Sequence, residues 1–169
     1  MKLECSKCQE SNFKLRSRKQ ILFMFVSIIS LTAFAQNENK RVAHFNLEGQ
    51  VALQGYDPVA YFKQGKAVKG KKELTASHEG VTYQFSISVN REYFLKNPLR
   101  YEPQFGGWCA YAMGDSGEKV AINPETFKII DGKLYLFYNA FFNNTLKSWN
   151  KDQANLKSKA EINWKKIIK

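Results

Sequence analysis

The groups able to do soft or nucleophilic chemistry in this chain are few: three cysteines and two histidines. Cys109 stands out among them. It follows Gly106-Gly107-Trp108, and two glycines let a backbone segment or a ligand come close. Backbone N–H groups in such a turn, or at a helix start after it, stabilise a thiolate. The competing reading is a small buried hydrophobe, the common fate of a free cysteine. Cys5-Ser6-Lys7-Cys8 has the Cys-x-x-Cys spacing of redox and zinc motifs. It lies ahead of a segment with the features of a cleavable leader, so processing would discard it.

A metal at Cys109 needs partners. The candidates are His44, His78 and Met113, the last four residues on and so on the same face of a helix. Thiolate, imidazole and thioether together suit Cu(I). A structural zinc site wants four Cys or His ligands at recognisable spacing, which this pattern lacks. Thiol redox chemistry would need a resolving thiol from another molecule. A Cys–His hydrolase would need a base, and no motif ties either histidine to Cys109. The residues therefore favour binding over catalysis. Tyr56, Tyr61, Tyr83, Tyr101, Tyr111 and Trp108 could line a small-ligand pocket or fill a core. Asp57 could be a pocket carboxylate, or the cap of a short helix with Pro58 at its first position.

The elements that position these groups begin after residue 35. Residues 14–20 are strongly basic, residues 21–34 are uncharged and mostly apolar, and Ala33-Phe34-Ala35 places small residues two apart. That is the pattern of a secretory signal over 1–35. Fourteen residues are short for a membrane span, which needs about 20. The expectation is an exported protein, periplasmic or secreted, with no transmembrane span after cleavage. The net charge of +11 falls by the leader's +4 to 11 − 4 = +7. A basic surface can meet nucleic acid, anionic membranes or acidic glycans, but export makes nucleic acid an unsuitable partner. Residues 36–44 read as a flexible polar tail, and 45–168 as one domain.

Within that domain, Leu74, Ala76 and His78 alternate before Glu79-Gly80, and Val81, Tyr83 and Phe85 alternate after it, predicting a hairpin over 73–86. Residues 90–96 read as a helix capped by Ser88 or Asn90, with Tyr93 and Phe94 inward and Pro98 ending it. Trp108 to Met113 is a compact apolar segment, and Lys119 to Ile122 reads as a strand. Asp131-Gly132 between two apolar runs predicts a second hairpin over 127–138 with a type I′ turn. Phe141, Phe142, Leu146 and Trp149, then Leu156, Ala160, Trp164 and Ile168, fall near helical spacing. The class is α+β with mostly antiparallel strands.

Several of these segments together resemble the exported YHS-domain proteins of bacteria. They are Gly55-Tyr56-Asp57-Pro58-Val59-Ala60-Tyr61-Phe62, the strand 80–86, Phe94 to Tyr101, Gly106-Gly107-Trp108-Cys109-Ala110 and Asp131 to Leu136. The resemblance spans roughly residues 45–165. It implies a small YHS-like domain and an association with metals, copper first. The broader family carries cysteines just after the aromatic strand, where this chain has Ser86 and Asn90, so that metal site does not transfer. The Gly-Gly-aromatic-Cys-Ala motif marks the exported branch, and some relatives have selenocysteine at the cysteine position, which implies a reactive or metal-binding Cys109. The expected function is binding of a metal ion or small ligand around Cys109. The alternatives are a thiol-dependent redox protein and a non-catalytic structural module of the cell envelope.

Overall fold

A computed structural model describes residues 41–169. The expected leader, with Cys5 and Cys8, and the first five residues of the expected tail lie outside the described residues. In chain order, residues 41–44 form a helical turn, α1. Two short strands follow, β1 (Leu47–Glu48) and β2 (Val51–Ala52), then α2 (Ala60–Lys63), β3 (Lys71–His78), β4 (Val81–Phe85), α3 (Ser88–Lys96), α4 (Pro98–Tyr101) and α5 (Ala110–Asp115). The second half holds β5 (Asn123–Ile130), β6 (Lys133–Phe137), β7 (Asn139–Ala140), β8 (Asn143–Asn144), α6 (Thr145–Lys151) and α7 (Gln153–Ile167). The architecture is α+β, as the periodicities predict. No helix among the described residues is long and apolar enough to cross a membrane.

Both expected hairpins form. β3 and β4 pair antiparallel with Ala76 opposite Tyr83 and His78 opposite Val81. Val81, Tyr83 and Phe85 turn one face of β4 fully inward. β2 adds parallel to β4 and β1 antiparallel to β2, giving the order β1-β2-β4-β3. β5 and β6 pair antiparallel around Asp131 and Gly132, whose φ values of 51° and 70° are those a type I′ turn requires. Phe94, at 0 % exposure, seals the first core against Tyr83 and Phe85. A second core under α5–α7 holds Phe105, Met113, Tyr135, Phe137, Trp149, Leu156 and Ala160. Gly114 makes it possible: a Cβ there would sit 2.4 Å from the Leu156 carbonyl oxygen, so only glycine lets α5 lie against α7.

Asp57 ties the first half together. Its side chain is completely buried. Oδ1 accepts the N–H groups of Val59 (2.9 Å) and Ala60 (3.3 Å), opening α2. Oδ2 accepts the Ser86 N–H (2.8 Å), the Ser86 hydroxyl (2.6 Å) and the Asn90 amide (2.7 Å). A carboxylate cannot donate, so Asn90 must present its nitrogen. One carboxylate thus joins the start of α2, the end of β4 and the inner face of α3.

Four local expectations need correction. α3 begins at Ser88 behind Ile87 with no side-chain cap, because Asn90 is spent on Asp57. Tyr93 points outward at 40 % exposure, its ring under the Lys63 ammonium. Residues 119–122 form no strand; their carbonyls serve isolated partners, Val120 the Cys109 N–H and Ile122 the Gln54 amide. Phe141 and Phe142 are not helical. They form the tip of the β7–β8 hairpin, because the Asn144 side chain caps α6 by accepting the Leu146 N–H and so starts the helix at Thr145.

Candidate functional site

Cys109 is held at a crossing of backbone segments. Its N–H donates to the Val120 carbonyl at 2.9 Å, and it bridges in parallel to Leu136 of β6. Its carbonyl accepts the Met113 N–H and so begins α5. The residue has no exposed surface, yet its surroundings are not wholly apolar. The Tyr138 N–H points at the sulfur at 3.3 Å, and the Thr145 hydroxyl lies 3.5 Å from it.

Thr145 has a second partner that bears on this contact. Its hydroxyl donates to the Tyr138 carbonyl at 2.9 Å, so its one proton is engaged there and its oxygen accepts from the thiol. The Tyr138 carbonyl also receives the Thr145 N–H at 3.0 Å. The hydroxyl can therefore rotate toward the sulfur without orphaning that carbonyl. The same four groups accommodate a thiol or a thiolate. They also clamp the two ends of the β7–β8 hairpin on the cysteine.

Cys109 borders a hollow of about 340 Å³, a size at the lower end of small-molecule sites. Tyr111, Tyr138, Thr145 and Asn143 line it with Cys109, and Asp115 and Glu118 stand on its rim. Both rim carboxylates are exposed. The nearest lysine in sequence, Lys119, is turned away, with Nζ 3.3 Å from His44 Nδ1 and over the Trp108 ring. The mouth is therefore a negative patch on a basic protein. Such an arrangement can attract a cationic or strongly hydrogen-bonding small molecule into a hollow lined in part by the buried Cys109.

Of the expected site residues, only Cys109 and Tyr111 line this hollow. Met113 is completely buried in the second core, whereas Cys109 belongs to the first. His78 lies on β3 beside Glu79, with its ring edge-on to Phe94. His44 stands edge-on to Trp164, and burial followed by the charge of Lys119 lowers its pKa below the ordinary 6.5. Among the described residues, no group of three or more His, Cys, Asp or Glu side chains could hold a metal ion. The expected Cys–His–Met set is not assembled, and the residues present do not fit a copper centre.

The aromatic candidates serve the fold. Tyr61 donates to the Pro124 carbonyl (3.0 Å) and Tyr83 to Glu102 (2.8 Å). Burial raises both phenol pKa values, with the Glu102 charge adding at Tyr83, so both act as neutral donors. Tyr56 donates to Glu125 at 3.3 Å and lies under the Lys69 ammonium. Trp108 donates to the His44 carbonyl at 2.7 Å. Asp57 is the capping hub and not a pocket carboxylate. Ser86 and Asn90, which stand where the resemblance places cysteines, are both committed to it.

The motif glycines also serve the backbone. Gly106 and Gly107 have φ of 60° and 83°, and the Gly106 carbonyl accepts the Asn46 N–H at 2.8 Å. A Cβ on Gly106 would meet the His44 carbonyl and Phe45 Cα at 3.2 Å. The close approach they permit is that of residues 44–46, not of a ligand. The described end of the expected tail is docked in the same region: Arg41 pairs with Glu102 and with Glu79, and stacks on Phe45. Thr145, Tyr138, Asp115 and Glu118 carry no motif that marks them in the sequence. No family model, curated protein or solved structure matches the chain.

Proposed function

We propose that this chain is a binding domain whose small ligand enters the hollow over Cys109. The observation that supports this reading is an open, acid-rimmed cavity lined by Cys109, whose buried sulfur is hydrogen-bonded to polar groups and not packed solely in hydrocarbon. The thiol and the Thr145 hydroxyl offer polar anchoring below, Tyr111 and Tyr138 offer apolar walls, and Asp115 and Glu118 favour positive charge above. The ligand proposed is a small organic molecule, since the described residues gather no group of three or more His, Cys, Asp or Glu side chains able to hold a metal ion. The adaptable proton of Thr145 favours a second reading, a thiol that reacts with a partner molecule.

Charge-selective labelling tests the reading. The full chain is treated with a cationic and an anionic methanethiosulfonate of equal size, and modification at Cys109 is followed by peptide mass mapping. The cationic reagent is expected to react about tenfold faster or more, the effect of a ~1.4 kcal/mol difference in local potential. Asp115→Asn with Glu118→Gln should remove that selectivity. Equal rates, or labelling of Cys109 only after denaturation, would refute the proposal.

A further inference from the structure

The tip of the β7–β8 hairpin is strained and packs against neither core of the described residues. Phe141 and Phe142 are 91 % and 111 % exposed, the two most exposed large apolar side chains among the described residues. Both have positive φ, 49° and 65°, in a two-residue loop between paired Ala140 and Asn143. That geometry calls for Asn-Gly or its equivalents. Bulky residues in the left-handed region are strained. Neither ring contacts either core. Two adjacent aromatic rings on a strained protruding turn are accounted for by something beyond the described residues.

Charge indicates what that is. α6 leaves the hairpin directly, and its Lys147 and Lys151 are exposed and one helical turn apart on one face. Residues 145–169 hold seven lysines against Asp152 and Glu161, a net 7 − 2 = +5. An apolar tip adjoining an exposed basic helix matches an anionic bilayer surface, where rings enter the acyl boundary and lysines meet lipid phosphates. A polyanion alone would leave the rings in water, and an apolar protein groove would gain nothing from the lysines. We infer that the Phe141–Phe142 tip and the lysines of α6 form a docking surface for anionic phospholipid membranes. Asn143, the residue after the tip, also lines the Cys109 hollow.

The full chain is mixed with vesicles of phosphatidylcholine, alone or with phosphatidylglycerol. Phe142→Trp puts a fourth tryptophan at the tip, so its signal is read as the difference from wild type. Its emission should shift to the blue and be quenched by brominated lipid in the anionic vesicles, an insertion readout local to this turn. Phe141→Asn with Phe142→Gly supplies the residues the turn prefers and should fold at least as stably as wild type. It should lower vesicle partitioning about a hundredfold, since burying each ring is worth roughly tenfold or more. Lys147→Gln with Lys151→Gln should lower binding to anionic vesicles about thirtyfold, at ~1 kcal/mol per lysine, and leave neutral vesicles unaffected. An unshifted tip tryptophan would overturn the inference, as would equal partitioning of wild type and the Asn-Gly variant. A blue shift that depends on protein concentration without lipid would overturn it in favour of self-association.

Discussion

Asp57→Asn tests the central joint of the fold. The wild-type carboxylate accepts five hydrogen bonds at 2.6–3.3 Å with no exposed surface. The asparagine amide has one oxygen where aspartate has two. Its best orientation keeps that oxygen on Ser86 and Asn90, where three donors converge. The NH2 then faces the N–H groups of Val59 and Ala60, donor against donor. Each buried donor left unsatisfied costs about 1–3 kcal/mol, so the variant loses roughly 2–6 kcal/mol. That is a large fraction of the ~5–15 kcal/mol that holds a domain of this size. Urea unfolding followed by tryptophan fluorescence reads it, Trp149 being fully buried. At a slope of ~1–3 kcal/mol per molar, the midpoint should fall by about a molar or more. Ser86→Ala removes one of the five donors and should cost less. A change below about 1 kcal/mol for Asp57→Asn would refute the reasoning, because charge-assisted bonds of this geometry could not then be holding the junction.

Gly106→Ala places a Cβ 3.0 Å from the Trp164 ring and 3.2 Å from two backbone atoms at a φ of +60°. It should cost about 1–3 kcal/mol and speed tryptic cleavage after Arg41, and a variant as stable and protease-resistant as wild type would show that this approach is not needed. His44 titrates with the opposite sign to an ion-paired histidine. Its pKa is lowered by burial and then by Lys119, so the fold prefers the neutral ring. That contribution is complete above the ordinary value of 6.5 and is lost as pH falls through the lower folded value. Wild type should lose more stability than His44→Gln between neutral and mildly acidic pH; parallel pH curves would contradict it.

The sequence was most legible where a local period was decisive. The 74–78 and 81–85 alternations and Asp131-Gly132 carry the two hairpins because each strand buries every second residue and each turn has its own residue demands. Cys109 was legible in the sequence by its neighbours and its solitude, but its burial and its bonds to Tyr138 and Thr145 were not. Asp57 was legible as a cap because capping is local. Its bonds to Ser86 and Asn90, 29 and 33 residues away, were not, because hydrogen bonds between distant segments leave no periodic trace. Thr145, Tyr138, Asp115 and Glu118 were missed for the same reason: only the folded chain brings them around one hollow. Phe141 and Phe142 misled because helical spacing to Leu146 and Trp149 is coincidental. The contrary signal was present in Asn143-Asn144, a turn pair whose second member caps a helix.

The clamp formed by Tyr138 and Thr145 bears on how this protein can diversify. The ends of the segment between them are fixed at one point by two hydrogen bonds to a single carbonyl. Whatever residues lie between, the cores meet the same two anchors. Loop closure depends only weakly on length, so the hairpin can be lengthened or rewritten at small entropic cost. The two tip residues, Phe141 and Phe142, can therefore be exchanged with little effect on these anchors, whereas Asn144 is held to its role as the cap of α6.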